Sequence, residues 1–102
     1  MNRSRSHDQS VIEMIRNDPA FAVEYLRLAF EELDTDGGEA GFLTALRHVI
    51  EARGGMAEIA EKAGLSRESL YRSLSPKGNP TLRTVKRVVH ATGLTFASIA
   101  AA

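Results

Sequence analysis

The chain has 102 residues, 43% of them hydrophobic and 25% charged, with 13 basic side chains cancelling 13 acidic ones. That length supports one domain with a modest core and is too short for two independent ones. The absence of cysteine excludes disulfides, zinc-finger sites and thiol catalysis and fits a cytoplasmic protein; no apolar run approaches the ~20 residues of a membrane span.

The opening MNRSRSHDQ (1–9) reads as a polar, disordered tail, because its arginines are not followed by the apolar stretch of a signal peptide. Ser10 and Glu13 have capping-box spacing and open a short first helix carrying Val11, Ile12, Met14 and Ile15. Asn17-Asp18-Pro19 ends it and starts a second helix, since proline disfavours helix in the residue before it and suits the first helical position. This second helix, about Pro19 to Leu33, places Leu26, Phe30 and Leu33 on one face, and Phe21 and Tyr25 widen the apolar surface. The Asp- and Gly-rich run Asp34 to Gly41 reads as a flexible connector. A third helix, about Ala40 to Arg53, buries Phe42, Leu43, Leu46, Val49 and Ile50 before Gly54-Gly55 stops it.

The next stretch, GGMAEIAEKAGLSRESLYRSL from Gly54 to Leu74, reads as two short helices at a tight corner. Ile59, Ala60 and Ala63 share a face of the first. Gly64 suits a left-handed closing residue, and Ser66 is placed to cap the second helix. That helix buries Leu70 and Leu74 and leaves Glu68, Tyr71 and Arg72 outside. A small Ala60, a Gly four residues on and a Leu six beyond it match the steric needs of a helix-turn-helix. An αα-corner without any DNA role has the same local pattern. After the loop SPKGNP, Thr81 caps a sixth helix that buries Leu82, Val85, Val88 and Val89 and ends at Gly93. The end, Leu94 to Ala102, reads as a short strand or an extended tail; a lone strand would have to pair with its copy across a dimer.

Charge divides the chain. Residues 1–53 hold ten acids against six bases, whereas from Lys62 onward seven bases face Glu68 alone. A neutral protein polarised in this way presents one attractive face to phosphates. The acidic half is either a surface for a basic protein partner or a solvated face that maintains solubility.

The run GGMAEIAEKAGLSRESLYRSLSPKGNPTLRTVKRVVHATGL resembles the helix-turn-helix addiction-module antidote proteins, within the wider Xre/Cro-like repressors. DPAFAVEYLRLAFEEL and FLTALRHVIEARGGM look like the family's upstream region, so the resemblance covers Asp18 to Leu94; the connector between them is longer and richer in glycine than the usual link. The resemblance implies an all-α fold: a five- to six-helix, lambda-repressor-like helix-turn-helix domain (40–94) behind an N-terminal helical extension (10–39), with 95–102 as a tail or short strand. It also implies an antitoxin of a type II toxin-antitoxin module. Such a protein neutralises a small basic toxin of the RelE/ParE type and, as a homodimer, binds double-stranded DNA in its own promoter and represses it. The alternative is a stand-alone repressor of the same superfamily whose N-terminal helices only complete the core or the dimer.

In a helix-turn-helix the N-terminal end of the second helix meets base edges in the major groove. Arg67, Glu68, Tyr71 and Arg72 are therefore the candidate base-reading residues, the arginines toward guanine and Glu68 toward a cytosine amine. Glu68 also suits a helix N-terminus on charge grounds alone, and Tyr71 suits a half-buried packing position. Ser66, Lys77, Asn79, Thr81 and Arg83 are the candidate phosphate contacts, with the amides opening the sixth helix. Arg83 and Arg87 share a polar face that solvation alone explains. No enzyme, cofactor or metal site is expected: His7 is in the tail, His48 is read on the polar face of the third helix and His90 on the sixth. None has the i, i+4 partner of a metal motif.

Overall fold

Seven helices and no strand make up residues 3–100, the part of the chain that this computed structural model describes, with side chains described from His7 onward. They are α1 (Arg3–Asn17), α2 (Pro19–Glu31), α3 (Gly38–Ala52), α4 (Met56–Ala63), α5 (Arg67–Ser73), α6 (Leu82–Ala91) and α7 (Phe96–Ala100). The all-helical expectation holds over these residues.

Local chemistry sets the boundaries. Asp18 caps α2, its carboxylate accepting from the Ala20 amide at 3.1 Å, with Pro19 at the first helical position. The expected flexible connector is shorter and hydrogen-bonded: α3 already begins at Gly38, and Thr35 donates both its amide (3.0 Å) and its hydroxyl (2.6 Å) to the Glu32 carbonyl. Thr81 caps α6 as expected, accepting from the Thr84 amide at 3.0 Å.

Both ends of the chain depart from expectation. Helix α1 starts at Arg3, so residues 3–9 are helical rather than a loose tail, and Ser10 lies inside the helix instead of opening it. Burial of Val11 and Ile15 against the core, together with a contact from Asp8 to α3, gives this first stretch a reason to stay ordered. At the other end there is neither strand nor extended tail before Ala100. Thr95 caps the one-turn helix α7 through the Ser98 amide (3.1 Å), and Ile99 is fully buried. A strand paired across a dimer is thereby excluded for Leu94–Ala100; residues 101–102 lie outside the described part.

One apolar cluster joins all seven helices, from Val11 and Ile15 through Leu26, Leu46 and Ile50 to Leu70, Leu74, Val88 and Ile99. Helix α3 is its centre, packing on α1, α2 and α4, while α4 carries α5 and α6, and α7 folds back on α2. Three side chains are misplaced by helical periodicity alone. Leu82, expected in the core, is 75% exposed, and Met14 also faces outward. His48, expected on a polar face, is buried at 8% exposure.

Candidate nucleic-acid interface

The α4–α5 corner is closed by its backbone. Gly64 takes the left-handed conformation (φ 73°, ψ 31°), which allows the Leu65 amide to reach the Ala60 carbonyl at 2.9 Å and the Gly64 amide to reach Glu61 at 3.1 Å. Ser66 follows in extended geometry, and its Oγ accepts from the Ser69 amide at 3.0 Å while donating to Ser69 Oγ at 2.8 Å. Ala60 and Ala63 are buried and small, so α5 can approach α4 closely, and Leu70 and Leu74 lock it down with no exposed surface. With that face committed, Arg67, Glu68, Tyr71 and Arg72 share the opposite face, and all four are exposed. The Arg67 guanidinium lies 5.7 Å from the centre of the Tyr71 ring, a cation–π contact that keeps the arginine extended over its neighbour.

The α5–α6 loop continues this surface. Ser75 Oγ donates to the Arg72 carbonyl (3.0 Å), and the Gly78 amide donates to the Ser75 carbonyl (2.8 Å). A Cβ at Gly78 would sit 2.0 Å from the Ser73 carbonyl oxygen, so only glycine lets the loop fold this tightly onto the end of α5. Lys77, Asn79, Thr81 and Arg83 are exposed along it, as is Ser66 at the other end of α5. The hydroxyls of Ser66 and Thr81 are both engaged in their caps. Asn79 also lines an apolar groove beside the loop. Among the described residues, Arg67, Arg72, Lys77, Arg83, Lys86 and Arg87 make no salt bridge, whereas Arg27 and Lys62 are neutralised by Glu24, Glu31 and Glu58. The uncompensated cations are thus concentrated on α5, the loop and α6.

Two arginines of the acidic half hold this surface in place, and neither was singled out by the sequence pattern. Arg47 on α3 donates to the Leu74 carbonyl that ends α5 and to Thr44 Oγ1 (3.2 Å). Arg53 donates to the Thr92 carbonyl beyond α6 at 3.2 Å. Each places positive charge where a helix exposes its last carbonyls, the favourable end of the dipole for a cation. The available signal was an arginine flanked by Leu46 and His48 on an otherwise buried helix.

A second polar cluster lies on the other side of α3. The Tyr25 hydroxyl meets His48 Nδ1 at 2.6 Å, and His48 Nε2 lies 3.2 Å from an Asp8 carboxylate oxygen. In the neutral ring the phenol donates to Nδ1 and Nε2–H donates to Asp8, so one imidazole ties α1, α2 and α3 together. Burial lowers the His48 pKa below its ordinary value, against the opposing pull of Asp8. Burial and the Asp8 charge raise that of Tyr25, which keeps the phenol protonated and a donor. No three potential metal ligands cluster among the described residues, and none of their helices is long and apolar enough to cross a membrane.

The class that the fold and the site define is that of small all-helical proteins with a glycine-closed helical corner and a cationic face beside it. Comparison with known proteins gives the particular one: the chain belongs to the family of probable addiction module antidote proteins, whose model matches residues 8–100. It is also 41% identical over 73 residues to an uncharacterized protein of Haemophilus influenzae strain Rd, a match covering 72% of this chain and 74% of that protein. No solved structure matches it. Membership of an antidote family implies a toxin as partner.

Proposed function

We propose that the protein is the antitoxin of a type II toxin-antitoxin module that binds its own promoter as a dimer through α4 and α5 and represses it. The observation that carries this reading is the face made by α5, the following loop and α6: exposed cations without carboxylate partners, next to a corner whose backbone fixes the pose of α5. In this reading the fold is a lambda-repressor-like helix-turn-helix of the Xre/Cro-like kind, and α5 enters the major groove. Arg67 and Arg72 donate to guanine O6 and N7, Glu68 accepts from a cytosine amine, and Tyr71 packs beneath Arg67. Lys77, Asn79 and Arg83 meet phosphates; Ser66 and Thr81 serve mainly by holding the amides of α5 and α6 toward them.

The acidic half is the surface for a basic toxin of the RelE/ParE type. Glu32, Asp34, Asp36 and Glu39 are exposed at the α2–α3 turn and are not neutralised by any described cation. Fluorescence anisotropy on the gene's own upstream DNA, against a scrambled duplex at two salt concentrations, tests the DNA half of the proposal. Tight, sequence-selective and salt-steep binding supports it, whereas equal binding to both duplexes, or to neither, refutes it. Co-purification with the product of the adjoining gene tests the toxin half. A neighbour that neither co-purifies nor arrests growth when expressed alone would leave a stand-alone repressor.

A further inference from the structure

Glycine makes a helix less stable than alanine does, yet α3 carries two. Gly38 is required by the fold, because a Cβ there would sit 1.9 Å from the Glu32 carbonyl oxygen. Gly41 is not: it is exposed, and a Cβ there meets nothing within 4 Å. What the missing side chain leaves open is a recess of about 270 Å³ between α2 and α3. Gly41 and Ala45, one turn apart, line it from α3, and Asp36 lines it from the α2–α3 turn. Tyr25 and Leu28 of α2, with Glu32 at its C-cap, line the other side at i, i+3 and i+7. We infer that this recess is the seat of a basic segment of the partner toxin, which lays apolar side chains on Leu28 and the α3 floor and brings its cations to Glu32 and Asp36. The inference rests on the toxin half of the proposed function.

Three observations select that occupant. First, Leu28 is 56% exposed at the recess while α2 buries Ala22 and Leu26 on another side, so this wall offers apolar area that the fold itself does not use. Second, the Tyr25 hydroxyl is held by His48 Nδ1 at 2.6 Å, so Tyr25 offers the recess its ring rather than a polar handle. Third, the charge here has one sign. The lining residues include Glu32 and Asp36 and no cation. Neither carboxylate forms a salt bridge among the described residues, whereas Glu24 and Glu31 on the same helix are both taken by Arg27. A segment with apolar side chains between cations satisfies the wall, the floor and the rim together. An acidic partner, or a nucleic acid, is repelled by the same carboxylates.

Surface plasmon resonance of the full chain against the purified product of the adjoining gene tests the seat, with a melting temperature taken for every variant. Gly41→Gln fills the recess from a helix position that crowds nothing. It should melt no lower than the unmodified protein and bind roughly thirtyfold more weakly or worse. Leu28→Ser, at a side chain already exposed, should weaken binding roughly tenfold. Leu82→Ser, at an exposed leucine outside the recess, should leave it unchanged. Asp36→Lys should slow association, most at low salt, and Glu13→Lys on α1, an equal change in net charge, should slow it far less. Gly41→Gln and Leu28→Ser proteins that bind as tightly as the parent overturn the inference and leave the toxin reading standing. A parent that does not bind the adjoining gene product overturns both. Sedimentation equilibrium separates the other occupant: if Gly41→Gln turns an assembly of this chain alone into monomers, the recess holds a second copy and the inference falls.

Discussion

The tightness of the α5–α6 loop can be measured directly by adding one methyl group. In Gly78→Ala the new Cβ falls 2.0 Å from the Ser73 carbonyl oxygen and 2.9 Å from that of Arg72. These are backbone atoms at the end of a helix and cannot swing aside. The loop must retreat by about 1 Å, an overpacking that costs about 1–3 kcal/mol. The same retreat strains the 2.8 Å bond from the Gly78 amide to Ser75, whose loss adds about 1 kcal/mol. Urea unfolding followed by circular dichroism should therefore place Gly78→Ala about 2–4 kcal/mol below the unmodified protein. Gly41→Ala is the matched control: Gly41 lies within α3, and a Cβ there meets nothing within 4 Å. It should raise stability by about 0.5–1 kcal/mol, the ordinary difference between Gly and Ala inside a helix. If Gly78→Ala unfolds within about 0.5 kcal/mol of the parent, the loop does not approach α5 this closely, and its role in aligning the cationic face is wrong.

Three further outcomes are expected. Removing the Arg47 guanidinium leaves the last carbonyl of α5 without its cationic donor, so Arg47→Ala should lose about 1–3 kcal/mol in urea titrations and weaken DNA binding, although Arg47 lies on α3, behind α5. His48 has a lowered pKa in the fold, chiefly through burial, with Asp8 opposing and Arg47 and His7 reinforcing the shift. The unfolded chain therefore takes up this proton first as pH falls below the ordinary value near 6.5, and stability drops from there until the folded pKa is passed. Melting temperatures across that interval should show the slope, and His48→Gln should flatten it; an identical slope in the variant would place the titration elsewhere. On DNA, Arg67→Ala should cost about 1–3 kcal/mol and relax preference at one base pair, whereas Lys77→Ala should weaken all sequences alike and reduce the salt slope by about 1. Equal effects of the two variants on specificity would remove the distinction between base and phosphate contacts.

What the residues revealed in advance depended on whether the cause was local. Asp18-Pro19, Gly64, Ser66 and Thr81 act within a few residues of themselves, and each terminates or opens a helix where the pattern placed it. The α5 face was equally legible, because Leu70 and Leu74 fix which side is buried. Failures came where a distant segment decided the outcome. Leu82 has the spacing of a core residue, but no helix packs over its side of α6. His48 has the polarity of a surface residue, but Tyr25 and Asp8, 23 and 40 positions away, supply its partners. The first turns of α1 and the whole of α7 are short, weakly patterned segments that gain order through tertiary burial of Val11, Ile15 and Ile99.

Consecutive residues of α3 serve opposite ends of the molecule: Arg47 grips α5, and His48 grips α1 and α2. This arrangement limits how such proteins can be recombined. A chimaera joined at the α2–α3 turn would carry α3 with the corner but orphan His48. A junction after α3 would keep the histidine cluster and leave the end of α5 uncapped. Exchanging the α4–α6 segment between relatives therefore demands that the incoming α5 meet the resident arginine, and exchanging the N-terminal helices demands that they supply a phenol and a carboxylate at the right depth. Neither the α5 surface nor the N-terminal helices can be transplanted here without inheriting part of the scaffold that holds the other.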